Sequence, residues 1–301
     1  MSAISWRGVK STVRGAGNSM AAGSNPEIRV NAESVRCAWL FSARVSGVRG
    51  RDKGRGQVGD AFLVNMGRNI FAVGDAPDWN PGASQSFLMA LNGTVEEACR
   101  RSRYGGDVPG DGLPAATIVG NVNTLVRDTD YRASTAFTCA VLMGGPSGTK
   151  ALVLHCGDTV LFEADVTSGR IRQVSRTSMN YAGRVKGLSQ VETIDVQRGT
   201  RLLMCSDGVH AVLRNGTFRD TKSVMLDALC RYDVGSVADA VLDSYPGDIE
   251  FPDDIVVVAL DPGKLVASGP AKGITGAPGV IGGSAWCFGA ERYGTIALTA
   301  T

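Results

Sequence analysis

The chain has 301 residues, of which 44% are apolar and 20% charged, a globular composition long enough for one large domain or two small ones around a sizeable core. Its net charge of +2 gives no ground for a nucleic-acid partner, and no apolar run approaches the roughly 18 residues of a membrane span, so neither partner is expected. The seven cysteines are irregularly spaced and form no CxxC pair, which argues against a disulfide framework or a zinc site and for a reducing, cytoplasmic compartment.

In chain order, residues 1–30 read as a flexible basic leader. Residues 1–59 hold ten Lys/Arg against three Asp/Glu, a local +7 that leaves −5 for the remainder; a solvated basic arm is the simplest explanation. No acid precedes Glu27, a composition that organelle-targeting segments share. The hexapeptide GRGQVG (54–59) fits GxGxxG, but a basic loop precedes it and a strand follows, whereas a dinucleotide fingerprint opens a helix.

Strand-like runs cover 37–45, 60–66, 69–74, 134–143, 150–156, 159–165, 170–175, 200–206 and 254–260. The turns MGRN, GGPSGT, CGD and TSG separate neighbours, as in antiparallel hairpins. Helical spacing appears at 83–101, 115–128, 221–232 and 235–245. The helices form an early pair and a late pair divided by strands. An α+β fold satisfies this order: a four-layer αββα sandwich of two antiparallel β-sheets flanked by helix pairs. Residues 31–262 make up this domain. Residues 263–301, rich in Gly, Ala and Pro, read as a tail with one docked segment around Trp286 and Phe288.

Acids stand at the ends of these strands. RLLMCSDGVHAVL, Arg201 to Leu213, puts Asp207 just past an apolar run. NIFAVGDAP puts Asp75 at the end of another, and GQVGDAFLV puts Asp60 at the start of a third. EFPDDIVVVAL puts Asp253 and Asp254 directly before the most apolar strand. A single acid of this kind is an ordinary turn residue or helix N-cap. Several of them meet if the strand ends converge, and clustered carboxylates need a counter-charge. Hard divalent cations supply it, because Mg²⁺ and Mn²⁺ prefer oxygen ligands.

In order and spacing, RGQVGDAFLV, FAVGDAP, STAFTCAVL, LVLHCGDTVLFEA, LLMCSDGVHAVL and PDDIVVVAL resemble the metal-dependent serine/threonine phosphatases, the PPM-type or protein phosphatase 2C family, from about Val35 to Leu260. The resemblance implies a β-sandwich flanked by helices, in accord with the pattern above. It also implies a monomer that holds two Mg²⁺ or Mn²⁺ ions and hydrolyses phosphoserine or phosphothreonine in a protein substrate. Asp75 matches the acid that bridges the two ions, and Ala76 the residue whose carbonyl binds one of them. Asp207 and Asp253 match the acids that complete the second ion's shell, and Asp60 an acid that holds metal-bound water. Arg55 matches the arginine that grips the substrate phosphate, a task suited to the guanidinium fork. The implied chemistry is in-line attack by a water bridging two ions about 3.5–4 Å apart, with no phosphoenzyme. Gly157 and Asp158 in HCGDTV match a structural turn, and His155 and His210 read as packing or turn residues.

The sequence departs from the family pattern near these acids. Pro77 takes the position of a histidine that is a candidate general acid. Gly59 stands where a Glu or Gln usually precedes Asp60, and Asp254 and Val256 replace the usual Asn and Thr. Asp78 adds a carboxylate. These departures keep a second class open, a catalytically impaired pseudophosphatase that acts as a protein-binding module. The sequence names no particular substrate.

Overall fold

The computed structural model describes residues 28–30, 34–37, 41–46, 59–65, 68–77, 80–104, 115–145, 148–209, 221–244, 253–263 and 285–288. Three strands come first, β1 (Ile28–Val30), β2 (Ser34–Cys37) and β3 (Phe41–Ser46), then β4 (Ala61–Asn65) and β5 (Ile70–Asp75). Helices α1 (Ala83–Tyr104) and α2 (Ala115–Asp128) follow. Next are β6 (Ala136–Gly145), β7 (Gly148–Cys156), β8 (Val160–Asp165), β9 (Arg170–Gln173), β10 (Gln190–Val196) and β11 (Thr200–Cys205). Helices α3 (Thr221–Arg231) and α4 (Val234–Asp243), then β12 (Ile255–Leu260) and β13 (Ala285–Phe288), complete the order.

The described strands pair antiparallel in two sheets, ordered β1-β2-β3-β12-β11-β8-β9 and β10-β7-β6-β5-β4-β13. Successive side chains on a strand point to opposite faces, and in the central strands β4, β5, β11 and β12 both faces are largely buried. In β12, Val256, Val258 and Leu260 enter the core between the sheets, while Ile255, Val257 and Ala259 face outward. In β5, Phe71 and Val73 enter the same central core, while Ile70 and Ala72 face the other way. Helices cover the outer faces with side chains at spacings of three and four. Leu88, Leu91 and Val95 of α1 and Ile118, Val122 and Val126 of α2 pack on one sheet. Met225 and Leu229 of α3 and Val237 and Val241 of α4 pack on the other. The architecture is the four-layer αββα sandwich that the element order predicts. Among the described residues, no helix is long and apolar enough to cross a membrane.

Several elements differ from the predicted ones. The run at 37–45 is not one strand. β2 and β3 pair with each other there, Cys37 facing Phe41. β1 occupies the last three residues of the span read as a leader. β10 lacks an apolar pattern because its sequence QVETIDV buries only Ile194 and Val196. The segment at Trp286 and Phe288 is β13, which pairs with β4 from Ala285↔Asn65 to Phe288↔Phe62.

Without β13, β4 would present an unpaired row of backbone N–H and C=O groups, a template for association. A chain ending at Gly263 is expected to unfold at lower temperature in differential scanning fluorimetry. It should also associate with rising concentration, as read by light scattering.

Candidate metal centre

Strand register gathers the acids. Ala61 pairs with Gly74, so Asp60, just before β4, lies beside Asp75 at the end of β5. Asp75 pairs with Ala136 and Phe137 with Cys156, so the turn after β7 carries Gly157 and Asp158 to the same sheet end. In the other sheet Cys205 pairs with both Val160 and Val257. β11 therefore ends where β8 and β12 begin, which brings Asp207, Asp253 and Asp254 to this end of the sandwich. One carboxylate oxygen from each of Asp75, Asp158 and Asp207 lies within 4.8 Å of the others.

The electrostatics follow from this crowding. Asp60 is 2% exposed. Burial pushes its carboxyl well above the ordinary range, a hydrogen bond from Ser206 opposes the shift, and the charges of Asp254, Asp253 and Asp207 add to it. Burial also raises Asp75, reinforced by Asp60, Asp207, Asp158 and Asp253. Asp158 is raised by burial, against a hydrogen bond from Tyr181. Asp60 Oδ2 and Asp158 Oδ1 are buried with no hydrogen-bond partner.

Hydrogen bonds fix the backbone around the cluster. Thr135 Oγ1 donates to Asp75 O at 2.6 Å, and Tyr181 OH donates to Asp158 Oδ2 at 2.7 Å. Gly59 N donates to Asp254 Oδ2 at 2.6 Å, and Asp254 N donates to Asp253 Oδ1 at 2.8 Å. The hydroxyl of Ser206 accepts from Val256 N at 3.1 Å. The hydroxyl of Ser84, near the start of α1, donates to the Gly59 carbonyl. Two glycines allow this closeness. A Cβ on Gly208 would come 2.2 Å from Asp254 O, and one on Gly59 would come 3.0 Å from Ala76 O. Side chains at 59 are thus disfavoured by the turn that follows Asp75.

Of the residues singled out in the sequence, Asp60, Asp75, Ala76, Asp207 and Asp253 meet at this end. Arg55, Asp78 and His210 lie outside the described residues. His155 is a buried core residue whose ring nitrogens meet Thr138 Oγ1 at 2.9 Å and Arg176 O at 3.2 Å. Asp158, expected as part of a structural turn, sits in that turn and also beside Asp75 and Asp207. Its place right after the β7 run, the rule that singled out the other acids, was the available signal. Tyr181 and Thr135 carry no local signal of their roles. The donor set is all oxygen, with two buried carboxylate oxygens that no protein donor meets, and it fits a hard divalent cation.

The sequence matches no family model and no curated protein. Solved structures do match. The catalytic domain of the serine/threonine phosphatase PstP, in complex with 2 manganese ions, aligns over 73% of this chain and 96% of its own at 17% identity and a TM-score of 0.51. PppA, a key regulatory component of T6SS in Pseudomonas aeruginosa, aligns over 74% and 97% at 15% identity and a TM-score of 0.52. The PP2C phosphatase domain of SpoIIE from Bacillus subtilis, with a fragment of its regulatory domain, aligns over 73% and 63% at 15% identity and a TM-score of 0.51. The fold of this chain is that of the PPM-type, or PP2C, serine/threonine phosphatases.

A raised carboxyl pKa has a defined consequence for the metal-free protein. The native state holds a proton that the unfolded state has released, so stability falls as pH rises from the ordinary value of 3.8 through the folded value. In chelator at pH ~7, where an unperturbed Asp is fully ionised, Asp60→Asn is expected to raise the melting temperature by a few degrees. The gain should shrink as the pH is lowered toward about 4. Thermal denaturation across that range checks both points.

Proposed function

We propose that the chain is a divalent-metal-dependent phosphoprotein phosphatase, hydrolysing phosphoserine or phosphothreonine by direct attack of water. The observation that supports this most is the convergence of Asp60, Asp75, Asp158, Asp207 and Asp253 at one end of a PP2C-type sandwich, with buried carboxylate oxygens left unpartnered. Asp75, Asp207, Asp253 and the Ala76 carbonyl are assigned to hold two Mg²⁺ or Mn²⁺ ions, and Asp158 joins them as a further ligand. When bound, the ions would lower the pKa of the attacking water and polarise the phosphoryl oxygens.

The chain's own residues do the positioning. Asp60 Oδ2 has no protein donor and is assigned to accept a hydrogen bond from the attacking water, aligning it with the leaving oxygen. Thr135 fixes the backbone of Asp75, and Tyr181 fixes one oxygen of Asp158, so the acids are oriented before substrate arrives. Arg55 is assigned to the substrate phosphate. The protein acts as a monomer on phosphorylated proteins in the cytoplasm. The free thiols of Cys139, Cys156 and Cys205 suit that compartment.

A second reading, a binding module with little turnover, is favoured by two features. Pro77 has no proton to give a leaving alkoxide, and Asp254, 8% exposed, sets an extra negative charge beside Asp60. The two readings differ in turnover. With Mn²⁺, the purified protein is expected to hydrolyse an aryl phosphate, whose leaving group needs no proton. A phosphothreonine peptide should turn over about 10²–10⁴-fold more slowly, the usual contribution of a general acid. Asp207→Asn and chelation should abolish both activities. No turnover of either substrate by folded, Mn²⁺-supplied protein would leave the binding module.

A further inference from the structure

We propose that Arg184 selects the substrate by pairing with an acidic side chain beside the phosphorylated residue. The proposal rests on the phosphatase reading above.

The segment between β9 and β10 reaches the carboxylate cluster through Tyr181, whose hydroxyl meets Asp158. It is pinned to its surroundings. Ala182 N donates to Thr135 O at 3.0 Å, and Gly183 N donates to Val126 O near the end of α2 at 2.9 Å. Gly183 has φ +81°, and a Cβ there would come 2.9 Å from Asp130 O, so the backbone packs directly on the turn after α2. Thr135 also holds the Asp75 carbonyl. Two short links, Tyr181 to Asp158 and Ala182 through Thr135 to Asp75, thus tie this segment to the cluster.

On that mount Arg184 is exposed. Its guanidinium carbon lies 4.8 Å from the ring centre of Tyr131 and 5.3 Å from that of Tyr181. Stacking on aromatic faces holds a guanidinium in place and leaves its in-plane N–H donors for a carboxylate. Among the described residues, no carboxylate forms an ion pair with Arg184. Tyr131, 62% exposed, and Met179, 76% exposed, put large apolar side chains in water nearby, the kind of surface a bound chain covers.

Charge names the occupant. Residues 174–191 carry Arg176, Arg184 and Lys186 and no acid. A peptide whose phosphate sits in the metal centre would pass Arg184, and the acids of the turn beneath it are engaged, Asp128 by Arg127 and Asp130 by the Arg132 N–H. An acidic flank gains attraction there, and a basic flank meets repulsion.

The test uses the full chain with Mn²⁺ and three phosphothreonine peptides of equal length, flanked by Glu, Ala or Lys. The expected kcat/KM order is Glu, Ala, Lys, with about tenfold between the extremes. Arg184→Glu should reverse the order, an outcome that loss of folding cannot produce. An unchanged order in Arg184→Glu overturns the proposal. Equal losses on all three peptides also overturn it, by putting Arg184 on the scissile phosphate. If the native protein turns over none of the peptides, the phosphatase reading fails separately. Fluorescence anisotropy of the same peptides then decides on Arg184: a preference for Glu flanks that Arg184→Glu reverses supports it, and no reversal overturns it.

Discussion

Mutual repulsion among Asp60, Asp75, Asp158, Asp207, Asp253 and Asp254 is the constraint on which the rest of this structure depends. Two full charges with oxygens within 4.8 Å of each other, as in Asp75, Asp158 and Asp207, oppose each other by at least about 3 kcal/mol at an effective dielectric near 20. Whole domains are stable by only about 5–15 kcal/mol. A fully charged, uncompensated cluster would therefore consume much of the fold's stability. In the metal-free protein burial and this repulsion push the carboxyls of Asp60 and Asp75 well above the ordinary range, which favours their neutral, protonated forms. Divalent cations are the natural replacement for those protons, because they satisfy several oxygens at once.

The sandwich makes such a cluster tolerable by keeping it off the core. Each acid sits at a strand end, and the strands behind them are continuous apolar runs buried on both faces. β12 alone contributes to the central and outer cores with six successive buried residues. Antiparallel pairing then alternates strand starts and ends along one edge. Asp60 and Asp253 enter where Asp75 and Asp207 leave. Hydrogen bonds from Thr135, Tyr181 and Gly59 hold the geometry against the repulsion.

The parts legible in the sequence were those with a local signature. Apolar runs with Asp at one end marked four corners of the cluster, and the four-residue spacing of Ile118, Val122 and Val126 marked a covering helix. Asp158 reads from the sequence as a turn residue because a Gly-Asp turn explains it locally. Forming the turn and facing the cluster are not alternatives for one residue. β10 escaped notice because an edge strand with one face in solvent buries too little to show a pattern. Tyr181 and Arg184 share one turn, but Tyr131 reaches Arg184 only through tertiary packing, and nothing in either stretch of sequence signals the other.

The central claim is that cations balance these acids, and Mn²⁺ titrated into chelator-stripped protein by isothermal calorimetry tests it most directly. The predicted result is at least two ions bound per chain, with protons released on binding because the raised carboxyls must ionise, and binding lost in Asp75→Asn. No binding by folded protein, or binding that survives Asp75→Asn unchanged, would contradict it.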